Sequence, residues 1–472
     1  MKFQKWIKTI SLCVACLTAL LPIAGCNTPE TDGSEINGIP LSEFTIVYSE
    51  EDHDYSKRAA EYIQSEILTR TGLELELIED DQDSRTAGEI VVGETARPIS
   101  ERMNADTQGT QFAILAEGGV IALEGDYFII AAAAYFFIET YVPEDNFSAQ
   151  IPTEVTVHDP IVKEAENFIL LIGDGMGVYQ TTLFDVFENN VYYSDGEDTF
   201  YGYYLPAHGF SRTDSLTGTT DSAAGGTALS CGVKTLNSRV GMSRNHRKLR
   251  SITELAISLG MSTAVMSTET STGATPASFS AHVRDRGLAH LISNQQTNLW
   301  AKYGTLIECD FDYYTDSGIA LIEDKVVSMY DRLDDNPNGF FIMYEEAHID
   351  KHCHSNDMVQ TYRAVVRFNQ VIGRTMEYAF YHPNTFVMIT ADHETGDLYP
   401  NDSGIYVYHS GGHSSHDVPV FAYGAGADLF DGVTVENVQI PMTIANFMGV
   451  SDFGDQSVYR PLVCVDVATE ND

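Results

Sequence analysis

Apolar positions follow two different rhythms along this chain, and the change falls near residue 160. Before it, Phe44–Tyr48 reads as a strand. From about Asp54, Ala59, Tyr62, Ile63 and Ile67 recur at helical spacing on one face. Leu73-Glu-Leu-Glu-Leu-Ile78 alternates as a half-buried strand does, and Gln111–Ala116 and Val120–Leu123 flank the hairpin signal Glu117-Gly118-Gly119. The apolar stretch Phe128–Val142 closes a small α+β unit over 38–158. It is only about 15 residues long and Glu139 interrupts it, so it predicts a buried helix, not a membrane span. From Asn167 onward, short apolar strands alternate with helices. Phe168–Ile172, Ser262–Met266, Phe340–Tyr344, Thr385–Ile389 and Val418–Ala422 are the core-strand candidates. Gln360–Phe380 is a long amphipathic helix through Val365, Val366, Phe368, Ile372 and Met376. That alternation predicts an α/β unit over 165–464, a largely parallel central sheet sandwiched by helices.

The start of the chain belongs to neither unit. Lys2, Lys5 and Lys8 form a basic start, Ile10 to Ile23 is apolar, and Ala24-Gly25 leads into Cys26, which predicts an export signal over 1–26. Leu21-Pro-Ile-Ala-Gly-Cys26 resembles a bacterial lipoprotein box, which implies a lipidated Cys26 holding the mature chain on a membrane surface. The alternative is an ordinary secretory signal cut near the same place. Residues 27–37, rich in Thr, Glu, Asp and Gly, read as a flexible tether. Loss of the signal removes three lysines and no acid, taking the formal charge from −41 to about −44. Such a surface repels nucleic acid and anionic membranes, and it repels phosphate esters at long range. Any anion site must be made positive locally. Solubility or salt tolerance accounts for most of the charge equally well. Cys231, Cys309, Cys353 and Cys464 remain after Cys13, Cys16 and Cys26 are set aside. They are widely spaced with no CxxC pair, and so make no disulfide framework; one or two bridges in an oxidising location and free buried thiols are both open.

Chemistry-bearing residues gather at the ends of predicted strands. Asp174 follows Phe168–Ile172 inside Gly173-Asp-Gly-Met-Gly177; the spacing is GxGxG, which does not fit a dinucleotide fingerprint. Taken alone, Asp174 is better read as a helix cap. Ser222, in Thr220-Asp-Ser-Ala-Ala-Gly, suits the first turn of a helix, where free amides would stabilise a phosphorylated serine; alone, it too is a plain capping residue. Glu345, Asp350 and His354 follow Phe340–Tyr344 at offsets of five and four, and Asp392-His393 follows Thr385-Phe-Val-Met-Ile-Thr390. His413 sits in a loop leading to Val418. His348, His352 and Cys353 are left out as neighbours rather than ligands. Oxygen and imidazole donors without a thiolate suit catalytic zinc.

In combination these motifs resemble the alkaline phosphatase family. Gly-Asp-Gly-Met-Gly, Thr-Asp-Ser-Ala-Ala-Gly, Ala-Thr-Pro-Ala-Ser-Phe-x-Ala-His-x-x-x-Arg, Glu-x4-Asp-Lys-x2-His, Ala-Asp-His and His-x3-Asp-Val-Pro-Val-Phe-Ala recur in order between about 167 and 450. The resemblance implies two zinc ions and one magnesium ion. Asp350, His354 and His413 would hold one zinc, and Asp174, Asp392 and His393 the other beside Ser222. Asp174 would bridge to a magnesium site completed by Thr275 and Glu345. Ser222 would carry a phosphoserine intermediate, and Arg286 would grip the phosphoryl oxygens; alternatively, Arg286 forms a surface ion pair with Asp285 or Asp221. One position departs: where many relatives carry Asp or His, this chain has Gly273. That removal is expected to leave Lys351 without its usual carboxylate neighbour.

The expected activity is hydrolysis of small phosphate monoesters outside the cytoplasm. A phosphodiesterase of the same superfamily and a non-catalytic surface-binding lipoprotein are the alternatives. A sulfatase would want a modification motif that Ser222 lacks. The 38–158 unit weakly resembles accessory domains that precede catalytic domains in some carbohydrate-active enzymes; it reads as a spacer, with glycan binding the lesser option. The sequence permits a homodimer without requiring one.

Overall fold

The computed structural model describes residues 33–49, 54–81, 86–103, 107–144, 146–187, 199–311 and 322–463. The export signal, Cys26, the first residues of the tether and Cys464 lie outside them. The tether expected to run to residue 37 ends sooner: Glu35–Ile36 is a strand, antiparallel to Ile39–Pro40 and parallel to Ser148–Ala149. Ile36 is fully buried, and Asn37 exchanges hydrogen bonds with the Ile151 backbone at 2.8 and 3.3 Å, which anchors a segment whose composition reads as loose.

A six-stranded sheet follows. Its strands are β1 (Phe44–Tyr48), β2 (Glu76–Glu79), β3 (Gly88–Val92), β4 (Phe112–Glu117), β5 (Val120–Glu124) and β6 (Thr156–His158), in the order β2-β1-β3-β5-β4-β6. The β4–β5 pair is the predicted hairpin, with Glu117 opposite Val120. The central strand β3 has no counterpart in the sequence reading, because Ile90-Val-Val92 is too short a run to be told from a turn's flank. Helices α1 (Tyr55–Thr71) and α2 (Ile130–Tyr141) cover one face, burying Ala59, Ile63, Ile67, Phe137 and Ile138.

The larger sheet has eight strands: β7 (Asn167–Gly173), β8 (Ala207–Arg212), β9 (Ser262–Ser267), β10 (Leu306–Cys309), β11 (Phe340–Glu346), β12 (Thr385–Thr390), β13 (Val418–Tyr423) and β14 (Thr434–Glu436). Their order is β10-β9-β11-β7-β12-β13-β8-β14. The five strands from β10 to β12 run parallel, and β13 is antiparallel to both its neighbours. β7 is buried along its whole length, with Phe168, Leu170 and Ile172 facing one apolar layer and Ile169 and Leu171 the other. That explains its unbroken apolar run. One layer is filled by Leu229, Leu255, Phe279 and Ile440. The other contains α6 (Met358–Tyr381), whose Val365, Phe368, Ile372 and Met376 share a continuous core with α1 and α2. The Arg58 guanidinium of α1 reaches both carboxylate oxygens of Glu377 on α6, at 2.9 and 3.0 Å. Among the described residues no helix is long and apolar enough to cross a membrane.

Parallel pairing decides where the chemistry goes. Ile172 is in register with both Glu345 and Thr390, and Ser267 with Glu345. The residues that continue these strands therefore emerge side by side on one carboxyl edge, the usual place for a site in an α/β sheet.

Candidate active site

Asp174 leaves β7 on that edge, and Asp392 and His393 leave β12. Gly175 turns the chain directly after Asp174 with φ +74°, and a Cβ there would lie 2.9 Å from the Cα of Asp350, so only glycine allows the approach. Glu345 is still within β11, whereas α5 (His348–His354) carries Asp350 and His354 on successive turns. His413 comes in from a two-residue strand paired with Glu394–Thr395. Ser222 opens α3 (Ser222–Cys231): the N-cap is Asp221, whose side chain accepts from the Ala224 amide, and the serine is the first helical residue. Thr275 lies in the first turn of α4 (Ala274–Ser280).

Hydrogen bonding sets the histidine tautomers. The Nδ1 of His354 faces the Gly411 carbonyl at 2.8 Å and that of His413 faces the Thr220 carbonyl at 2.8 Å, so each ring carries its proton there. Thr395 Oγ donates to Asp350 Oδ1 at 2.5 Å and so accepts from His393 Nδ1 at 3.2 Å. All three rings consequently turn a bare Nε2 inward. His354 and His413 present theirs to each other at 3.2 Å, and Asp350 Oδ1 lies 3.4 and 3.5 Å away. His393 Nε2 sits 3.5 Å from Asp174 Oδ1, 3.4 Å from Asp392 Oδ2 and 3.2 Å from Ser222 Oγ. Lone pairs and carboxylates facing one another repel unless a cation lies among them.

The carboxylates are equally short of partners. Asp174 Oδ1, Asp392 Oδ2, Glu345 Oε1 and Thr275 Oγ1 are all buried with no hydrogen-bond partner, which is costly for any polar atom. Burial, reinforced by Asp350, pushes Asp392 up to about 7; burial and Glu269 push Glu345 up to about 8. Asp174 is raised for the same reason, burial first and Asp392 next. His393 is held neutral by burial and by the neighbouring imidazoles. Asp350, His354 and His413, and likewise Asp174, Asp350 and His393, bring ligand atoms within 4.8 Å of one another, so two groups that could hold metal ions share Asp350. An oxygen-only donor set, Glu345 and Thr275 beside Asp174, suits a harder ion such as magnesium. These donors suit divalent cations, and the second converging group takes in Asp350 where the family resemblance implies Asp392.

Arg286 stands at the rim, 40% exposed, its Nη1 3.6 Å from Asp221 Oδ2. The other oxygen of Asp221 caps α3, so one carboxylate orients both the helix and the guanidinium. Two of the three neighbours set aside in the sequence have other contacts. Cys353 packs against Gln180, Thr361 and Tyr408, and His348 contacts Thr268 and Glu346. Cys231, Cys309 and Cys353 are free thiols.

Two residues in the site had no signal in the sequence. Thr395 links His393 to Asp350, yet a threonine two positions past a ligand is unremarkable there. Glu269 lies 3.2 Å from Lys351 Nζ, and this corrects the expectation that Gly273 leaves Lys351 without a carboxylate. The acid comes from four residues earlier, where no motif points.

Comparison with known proteins agrees in kind. The family model for alkaline phosphatase matches residues 165–305 and 299–411, together more than half of the chain. Alkaline phosphatase 4 and alkaline phosphatase 3 of Bacillus subtilis are 29% and 28% identical over 303 and 299 residues, each match covering 52% of this chain. The chain spans 65% of the length of those two relatives. The solved alkaline phosphatase of the Antarctic bacterium TAB5 superposes with a TM-score of 0.53 at 28% identity, covering 61% of this chain and 99% of that one. A variant of the TAB5 enzyme with Mg bound in its M3 site gives 0.50 at 26% identity, with the same coverage. Thermus thermophilus alkaline phosphatase, at 18% identity, covering 62% of this chain and 93% of that one, with a TM-score of 0.53, shares the fold.

Proposed function

The chain belongs to the alkaline phosphatase family, and on that premise we propose that it hydrolyses phosphate monoesters through a phosphoserine on Ser222. The observation that carries this reading is the set of buried oxygens without partners, together with imidazole nitrogens turned inward, beside Ser222 Oγ. Zinc would be held by Asp350, His354 and His413 and by Asp174, Asp392 and His393. Magnesium would be held by Asp174, Thr275 and Glu345, whose buried oxygens lack other partners. When bound, the cations supply Lewis acidity that makes the serine hydroxyl acidic and offsets charge on the departing oxygen.

The chain's own groups do the rest. Ser222 attacks phosphorus in line; its Oγ–P bond forms as the ester P–O bond breaks, and water then cleaves Oγ–P to release inorganic phosphate. Opening α3, the serine places the transferred phosphoryl group beside the amides of the helix's first turn, which carry partial positive charge. Arg286 can leave Asp221 to offer two parallel N–H groups to the equatorial oxygens. Against a field of −41, this local positive charge is what admits an anion.

Three further assignments accompany the activity. Residues 1–26 act as the export signal with a lipid on Cys26, residues 38–158 form the accessory unit, and 165–464 is the catalytic unit. The deciding experiment compares hydrolysis of para-nitrophenyl phosphate with its bis-ester, alongside acid trapping of labelled phosphoprotein. Ser222→Ala is expected to lose the label and about 10³-fold or more in kcat. Preference for the bis-ester, or an unaffected Ser222→Ala variant, would sink the monoesterase reading.

A further inference from the structure

Glu269 lies just past the carboxyl end of β9, on the turn that leads to α4, and its side chain is 19% exposed. Three contacts tie it to the oxygen-only part of the site. Its Oε2 is 3.2 Å from Lys351 Nζ, next in the chain to Asp350. Its amide donates at 3.0 Å to Ser267 Oγ, which in turn donates to Glu345 Oε2. And its carboxylate fills the space in front of residue 273: a Cβ added to Gly273 would overlap Oε1 and Cδ of Glu269. Glycine at 273 and glutamate at 269 therefore go together, because any side chain at 273 would expel the carboxylate.

We propose that Glu269 is a positioning residue of the magnesium site, supplying from a different backbone position the outer carboxylate that a residue at 273 would otherwise provide. The inference rests on the reading of Asp174, Thr275 and Glu345 as that site. Two physical needs are met at once. Lys351 would otherwise place an unpaired positive charge beside a divalent cation, and Glu269 neutralises it. Magnesium keeps several of its waters when protein-bound, and those waters need fixed acceptors; the second oxygen of Glu269, on the turn linked to Glu345 through Ser267, would be one. Through Ser267 the same turn fixes which oxygen of Glu345 stays free.

The test uses full-length zinc-loaded protein, stripped of magnesium and titrated with MgCl2, read by bound metal per chain and by the magnesium-dependent rise in Tm. Glu269→Gln keeps the shape of the side chain and is expected to weaken magnesium binding by roughly 10- to 100-fold with zinc content unchanged. Moving the carboxylate, in Glu269→Ala combined with Gly273→Asp, is expected to recover most of the loss, which a role in packing alone would not do. Wild-type affinity in Glu269→Gln, a parallel loss of zinc, or no recovery in the relocated variant would overturn the proposal for Glu269 while leaving the phosphatase reading intact. A wild-type protein that takes up zinc but no magnesium would remove the site itself, and the inference with it.

Discussion

The two sheets of this molecule treat their acids in opposite ways. Around the six-stranded sheet, arginines are supplied to match. Arg97 holds Asp80 and Glu89 at 3.1 and 3.4 Å, Arg70 holds Glu66 and Glu139, and Arg58 reaches across to Glu377. At the carboxyl edge of the eight-stranded sheet, Asp174, Glu345 and Asp392 are more deeply buried, yet among the described residues none of them pairs with a lysine or arginine. Lys351 and Arg286 stand nearby but are held by Glu269 and Asp221. An acid satisfied by a guanidinium is architecture. An acid left unsatisfied where bare imidazole nitrogens converge is a place for a cation from outside. Glu124 shows that burial alone is not enough. Its Oε2 is unpartnered and it is pushed up to about 7 by burial, Glu94 and Asp126. Among the described residues it joins no cluster of metal-ligating side chains, and protonation settles its charge.

The contrast can be broken most directly by removing metal. Chelation is expected to abolish turnover and, in calorimetry, to lower Tm by an amount matching about 2–4 kcal/mol of lost binding free energy, restored by zinc and magnesium. A protein indifferent to chelation would place both sheets in the same class. Next in size, Glu377→Gln leaves Arg58 and Arg374 without their shared acid. Because Arg58 is about a quarter exposed, the loss is put at about 2 kcal/mol, the same with or without metal, read by denaturant titration.

Asp392→Asn should behave in the reverse sense. It removes one of several mutually repelling carboxylates, so the metal-free protein is expected to gain about 1 kcal/mol while the zinc content falls. The pH dependence follows from the same groups. Asp392 and Glu345 titrate near 7 and 8 in the folded metal-free chain, against about 3.9 and 4.3 in the unfolded one. The folded state thus binds more protons than the unfolded state between those limits. Stability of the metal-free protein is full below about pH 4 on this account and is lost as pH rises through about 8. Melting curves from pH 5 to 8.5 should fall for the metal-free protein, and bound metal should flatten the trend. The smallest effect is expected at Arg332, whose exposed pairing with Glu308 is worth less than about 0.5 kcal/mol, so Arg332→Ala should leave Tm nearly unmoved.

Much of this was legible from the order of residues alone. The unbroken apolar runs at Phe168 and Phe340 had to be buried strands, since nothing else hides so much surface in so few residues, and both are. The long helix predicted over Gln360–Phe380 runs from Met358 to Tyr381. Motifs at strand ends marked Asp174, Glu345, Asp392 and His393, because a parallel sheet collects its carboxyl ends on one edge. What the chain's order could not disclose was anything set by space between segments far apart. β3 needs its neighbours to be a strand at all, and Ile36 needs Ser148–Ala149 before it ceases to be tether. Thr395 and Glu269 matter only because folding brings a hydroxyl within reach of Asp350 and a carboxylate into the gap before Gly273. Periodicity and turn chemistry act over a few residues and are written locally. Which oxygen meets which nitrogen is decided by packing, and that exists only once the sheet is assembled.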